Sequence, residues 1–141
     1  MEFDKNILEA RFCPYCGAET EYIDSSYIYG KSYGMIYICK PCDAYVGVHH
    51  GNTKRSLGRL ADKDLREAKK KAHFYFDQLW RKAIKRGRKK HEARNSAYKW
   101  LSEKLNTPIE FTHIGMFDAQ LCNKVIEVCK PYCINKTYKP N

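Results

Sequence analysis

The sequence has no long apolar run. Its longest strongly apolar stretch, Met35 to Cys39, falls far short of the roughly 20 residues needed to span a bilayer. The N-terminal stretch Met1 to Ala10 carries Glu2, Asp4 and Glu9 and no apolar centre, so it does not read as an export signal. A soluble, cytoplasmic chain is therefore expected, in a compartment that keeps thiols reduced, and the seven cysteines are not read as a disulfide framework. Catalytic motifs are also missing. Neighbouring residues assemble no HxxxH, HNH-like or clustered-carboxylate pattern, which weighs against a metal-dependent nuclease built on His49, His50, His113 and Asp118. No enzyme activity is expected.

Acidic residues are scarce where basic ones are dense. Of 26 Lys/Arg and 16 Asp/Glu, residues 54–104 hold eighteen bases against six acids, while residues 1–53 hold four against seven and residues 105–141 four against three. The formal charge of +10 thus belongs to the middle of the chain. A concentrated positive field favours a polyanion, with nucleic acid (DNA or RNA) first and acidic protein or membrane surfaces behind it; no membrane partner is expected.

Four of the cysteines form two matched pairs, Cys13-Pro-Tyr-Cys16 and Cys39-Lys-Pro-Cys42, separated by the 22 residues Gly17 to Ile38. A CxxC turn aims two thiolates at one point, and two such turns supply the four tetrahedral ligands that zinc(II) prefers. The intervening length suits a short hairpin. Cys13, Cys16, Cys39 and Cys42 are accordingly read as one structural zinc site of zinc-ribbon type, with no coordination position left for chemistry. A ribbon of this size buries too little apolar surface to hold itself together, and metal ligation replaces the missing core.

Between Thr20 and Val48 the composition turns to tyrosine and β-branched residues, with Tyr22-Ile23, Tyr27-Ile28-Tyr29, Ile36-Tyr37-Ile38 and Tyr45-Val46 separated by turn signals. Three or four antiparallel strands are expected there. Seven of the eleven tyrosines lie in this first third, as a thin core or, where exposed, as rings able to stack on unpaired bases. Residues 3–12 fit a short helix or an extended lead-in equally well.

After the polar stretch His49-His50-Gly51-Asn52-Thr53, Asp62 caps a helix over Lys63 to Lys85 whose apolar stripe is Leu65, Ala68, Ala72, Phe76, Leu79 and Ala83, with Trp80 closing the core. His73, near that stripe, is read as a satisfied histidine. A second helix runs from Glu92 to Asn106 and stops at Thr107-Pro108. A third is capped by Asp118 and stapled by Phe117, carries Leu121, Val125 and Val128, and ends at Pro131, leaving an extended or frayed tail. The architecture expected is α+β: a zinc-ribbon module over residues 1–53 followed by a basic region of about three helices over 54–141, packed with it as one unit.

The run from Arg81 to Arg94 contains eight Lys/Arg and a single acid, Glu92. Together with Lys69 and Lys70 on the first long helix, Arg81, Lys82, Lys85, Arg86, Arg88, Lys89, Lys90 and Arg94 are the candidate nucleic-acid contacts. Cys122, Cys129, Cys133 and His113 could in principle hold a second ion, but helix-face cysteines are more often core, and one zinc is expected.

The stretches Cys13-Pro-Tyr-Cys16-Gly17, Tyr45-Val-Gly-Val-His49, Leu57-Gly-Arg-Leu-Ala61, Ala72-His73, Tyr98-Lys-Trp-Leu101 and His113-Ile-Gly-Met-Phe-Asp118 carry a further signal. Over about Phe12 to Val128 the chain resembles the small zinc-finger-containing proteins of bacteriophages and prophages, a family of unknown function. The resemblance implies a phage or mobile-element origin and a metal at the four paired cysteines, and it assigns no activity. It leaves open a phage protein that binds nucleic acid and one that docks on and modulates a host nucleic-acid-processing or defence complex.

Overall fold

Three short strands, β1 (Glu21–Asp24), β2 (Met35–Cys39) and β3 (Ala44–Gly47), form an antiparallel sheet in the order β1-β2-β3. The computed structural model describes residues 3–51 and 53–140. Alternation sets the register: Ile36 and Ile38 of β2 point into the interior, while Tyr37 faces the other way, opposite Tyr22 and Val46, its ring 4.9 Å from that of Tyr22.

The Tyr27-Ile28-Tyr29 segment, expected as a strand, is instead a single helical turn, α2 (Ser26–Tyr29), following a one-turn α1 (Lys5–Leu8). Local turn chemistry outweighs β-branched composition here. Asp24 accepts from the Ser26 amide and the Ser32 hydroxyl, each at 2.8 Å, the buried Ser25 hydroxyl accepts from the Tyr33 amide, and Gly30 closes the turn at φ 72°.

Two compact units divide at Asp64/Leu65. Residues 54–62 lie with the sheet because isolated bridges join Val48 to Ser56 and Tyr45 to Ala61, the Ser56 hydroxyl donates to the Leu8 carbonyl at 3.0 Å, and the Tyr37 hydroxyl donates to the Lys54 carbonyl at 2.6 Å. The small core of this unit gathers Ala10, Cys13, Cys39, Ala44 and Leu60, so two of the paired cysteines are part of it.

The second unit is helical. Helix α3 (Lys63–Lys85) has the expected span, but its buried residues are Leu65, Ala72, Tyr75, Phe76 and Trp80, with Leu79 and Ala83 only half buried. Tyr75 and Trp80 take the interior because their polar tips find partners, the hydroxyl on the Lys136 carbonyl and the indole on Asp77. Helix α4 (Lys90–Leu105) begins two residues earlier than expected and closes on Asn106 at φ 55°. Two 3₁₀ turns, Ile109–Phe111 and Ile114–Met116, lead to α5 (Ala119–Cys129), whose N-cap Asp118 accepts from the Leu121 amide at 2.8 Å. On α5 Cys122 and Cys129 are buried beside Leu121 and Val125, and Val128 is not.

One further 3₁₀ turn, Lys130–Tyr132, contains Pro131, and the irregular segment after it is tied to α3. Gln78 holds Asn135 by paired bonds to its amide and carbonyl, and the Tyr138 hydroxyl donates to Glu67 at 2.9 Å. No helix among the described residues is long and apolar enough to cross a membrane.

Candidate metal centre and basic surface

The two CxxC turns end alike, each on a left-handed residue. In the first, the Cys13 amide donates to the Ala18 carbonyl at 2.8 Å and the Gly17 amide to the Cys13 carbonyl at 2.9 Å, with Gly17 at φ 78°. In the second, the Asp43 amide donates to the Lys40 carbonyl at 3.1 Å, and Asp43 adopts φ 50°. The residue after each second cysteine is thus left-handed, a conformation that glycine adopts freely and aspartate tolerates. Reversal of the chain at these points turns all four sulfurs inward. They lie within 4.8 Å of one another, and the Cys16 and Cys39 sulfurs are 3.6 Å apart. A tetrahedron with Zn–S arms of about 2.3 Å has edges of about 3.8 Å, so the cluster has the size of a zinc cage.

The electrostatics fit the same ion. The Ala18 amide donates to Cys16 and, with hydrogen bonds from Cys39 and Cys42, holds its thiol below the usual value, whereas Cys42 is pushed up to about 12, first by its contact with Cys16 and then by burial. Four crowded sulfurs cannot all ionise without a cation between them, and a divalent ion supplies that charge. Cys13 and Cys39 are buried, Cys42 is half buried and Cys16 is exposed. The four cysteines are positioned to bind one zinc ion, with a complete protein ligand set that leaves the metal a structural role.

A family model for a zinc-finger-containing domain matches residues 9–132. The chain belongs to this family. No curated protein and no solved structure matches it. In this zinc-finger-containing domain the described residues bring together no metal-capable group of three or more side chains besides the paired cysteines. Cys133 donates to the carbonyls of Tyr75 and Cys129, the Cys129 thiol is pushed up to about 12 by burial and the neighbouring Cys133, and the His113 ring packs on Tyr98 at 5.2 Å. His49 is half buried and its amide donates to the Arg55 carbonyl, while His50 is exposed.

The cations singled out in the sequence separate into groups. Arg81, Lys90 and Arg94 converge on one ring: the guanidinium carbons of Arg81 and Arg94 and the Lys90 ammonium lie 5.2, 5.6 and 5.8 Å from the Trp80 centroid. That ring is 8% exposed and its Nε1 donates to Asp77 at 2.9 Å. Burial alone pushes the Asp77 carboxyl up, but hydrogen bonds from His73 and Trp80, helped by the charges of His73 and Arg81, outweigh it and hold the group below its ordinary value.

The turn between α3 and α4 closes at Gly87, φ 98°, and exposes Arg86, Arg88 and Lys89, with Arg88 donating to the Ser96 hydroxyl at 2.9 Å. Arg81, Lys82 and Lys85 line a cleft together with Gln78, Tyr132, Ile134 and Asn135. Lys70 is exposed on α3, and Lys69 stands apart because its ammonium donates to the Gly115 carbonyl at 2.9 Å.

Asp77, Trp80 as a hub, Tyr98 and Tyr132 were absent from the sequence-based set. The i,i+4 spacing of His73 and Asp77 was available as a signal; the Trp80 contacts with Lys90 and Arg94 were not, because they cross the α3–α4 turn. In the sheet unit Tyr15, Tyr27, Tyr29 and Tyr33 are exposed and Tyr22, Tyr37 and Tyr45 are half buried, which divides the tyrosines between surface and core.

Proposed function

We propose that this zinc-binding protein is a nucleic-acid-binding module whose helical unit supplies the contact surface. The supporting observation is the state of the cations from Arg81 to Arg94. None of the eight forms an ion pair with a carboxylate within 4.0 Å among the described residues, and three of them are gathered on the Trp80 ring. Unpaired cations held close together repel one another, and a polyanion laid across them relieves that cost while releasing its own counterions.

The metal plays no part in contact chemistry under this proposal; it replaces the apolar core that a sheet of three short strands lacks. Contacts of this kind read phosphate and not base identity, so binding is weakly selective for sequence. The phage or mobile-element setting rests on the resemblance of the sequence motifs.

Fluorescence anisotropy with labelled DNA and RNA oligonucleotides at increasing salt tests the reading. Affinity is expected to fall linearly on a log–log plot, with a slope of about 0.7 to 0.9 for each phosphate contacted. No binding at low salt, or an affinity that salt leaves unchanged, would overturn it.

A further inference from the structure

A cleft of about 340 Å³ opens in the helical unit between α3 and the segment after α5, lined by Gln78, Arg81, Lys82, Lys85, Tyr132, Ile134 and Asn135. Its chemistry is divided. On the α3 side stand three cations, Arg81 and Lys85 four residues apart and so on the same helical face, with Lys82 beside them, and no carboxylate lies among the lining residues. On the other side stand two apolar groups left in water. Tyr132 is 55% exposed, with Trp100 bracing it edge-on at 5.6 Å, and Ile134 is 82% exposed.

The wall between the two sides is fixed. Gln78 Oε1 accepts from the Asn135 amide at 3.1 Å, and Gln78 Nε2 donates to the carbonyls of Asn135 and Phe74, each at 3.0 Å. The Gln78 amide is therefore committed to the backbone and not available to read a base edge.

An anion-binding side and an apolar, aromatic side in one small cleft match the two faces of a nucleotide. The volume sits near the lower end of the roughly 300–1,000 Å³ range of small-ligand sites, enough for one nucleotide and too small to admit a duplex. In a duplex the base faces are stacked on one another and out of reach, so Tyr132 and Ile134 gain a partner only from an unpaired base.

Resting on the nucleic-acid reading above, we infer that this cleft holds one unpaired nucleotide of a single strand, its phosphate on Arg81, Lys82 and Lys85 and its base on Tyr132 and Ile134. The preference is for strandedness, not base identity.

The test compares a labelled single-stranded oligothymidylate and oligouridylate with a duplex of equal length, using the full-length zinc-loaded protein. Single strands are expected to bind more tightly than the duplex. Tyr132→Ala should weaken single-strand binding about ten-fold or more, the size of one lost base stack, and leave duplex binding unchanged, while Tyr132→Phe retains it. Because Tyr132 touches Trp100, Ile134→Ser provides a second variant at a side chain that carries almost no folding burden, with a several-fold loss confined to single strands. If the protein binds nucleic acid with the expected salt dependence but neither Tyr132→Ala nor Ile134→Ser moves single-strand affinity, or both weaken duplex equally, the cleft assignment is wrong and the broader function stands. Absence of all nucleic-acid binding overturns both.

Discussion

Trp80 donates its indole N–H to Asp77 three residues earlier on α3, at 2.9 Å, so the ring that gathers Arg81, Lys90 and Arg94 is anchored on a carboxylate of its own helix. Asp77 also receives His73 at 3.3 Å, and with Arg81 in range a largely buried acid is kept ionised by the groups around it.

Replacing Asp77 by Ala should destabilise the helical unit by about 1–3 kcal/mol at neutral pH, since the Trp80 N–H loses its acceptor. The carboxyl is held below its ordinary 3.8 in the folded chain, so its stabilisation is present above the unfolded value and lost as pH falls through the lower folded value. The gap between wild type and Asp77→Ala is therefore expected to narrow as the pH falls below 3.8. Both tryptophans, Trp80 and Trp100, lie in the helical unit, and urea unfolding followed by their fluorescence reads it out.

Neutralising the ring-bound cations together, Arg81→Gln with Lys90→Gln and Arg94→Gln, should weaken oligonucleotide binding uniformly across sequences. The salt slope should drop by about 0.7–0.9 for each phosphate contact removed. Titration of wild type and variant at several salt concentrations checks both numbers, and an unchanged slope would place the contacts elsewhere.

Thr112 is fully buried, donates to the Pro108 carbonyl at 2.7 Å and accepts from Thr107 at 2.7 Å in the connector between α4 and α5. Thr112→Val keeps the shape and removes the hydroxyl, leaving the Thr107 hydroxyl and the Pro108 carbonyl without it. A loss of about 1–3 kcal/mol is expected from chemical denaturation, against roughly 0.5 kcal/mol or less for exposed Lys124→Gln as a control.

Removing zinc with a chelator should unfold the sheet unit, because its apolar core is a handful of residues around the cysteines themselves. Hydrogen exchange at the Tyr37 and Ile38 amides of β2 is the readout, with protection in the zinc-loaded chain and near-complete exchange without metal.

Much of this arrangement was legible in the sequence wherever a local rule carried it. The CxxC spacing defined the cage, the stripe from Leu65 to Ala83 defined the span of α3, and Asp118 marked the start of α5. Sequence reading failed where a few polar atoms outweighed composition, as at Tyr27-Ile28-Tyr29, where Asp24, Ser25 and Gly30 impose a helical turn on a strand-like run.

It also failed where the partners lie across a turn or far along the chain. Nothing local to Trp80 announces Lys90 and Arg94, and Tyr132 to Asn135 face Arg81 to Lys85 only because Gln78 and Tyr75 hold the tail. Lys69 shares a helical face with other cations, and nothing on that face announces its bond to Gly115, in a connector 46 residues away.

Elemental analysis of the purified full-length chain, alongside Cys39→Ser, measures the metal cage most directly. One zinc ion per wild-type chain, lost together with the β-sheet in the variant, is the predicted result, given four sulfurs within 4.8 Å of one another and no second group of metal-capable side chains among the described residues. A folded wild-type chain that contains no zinc, or one that contains two ions, would contradict it.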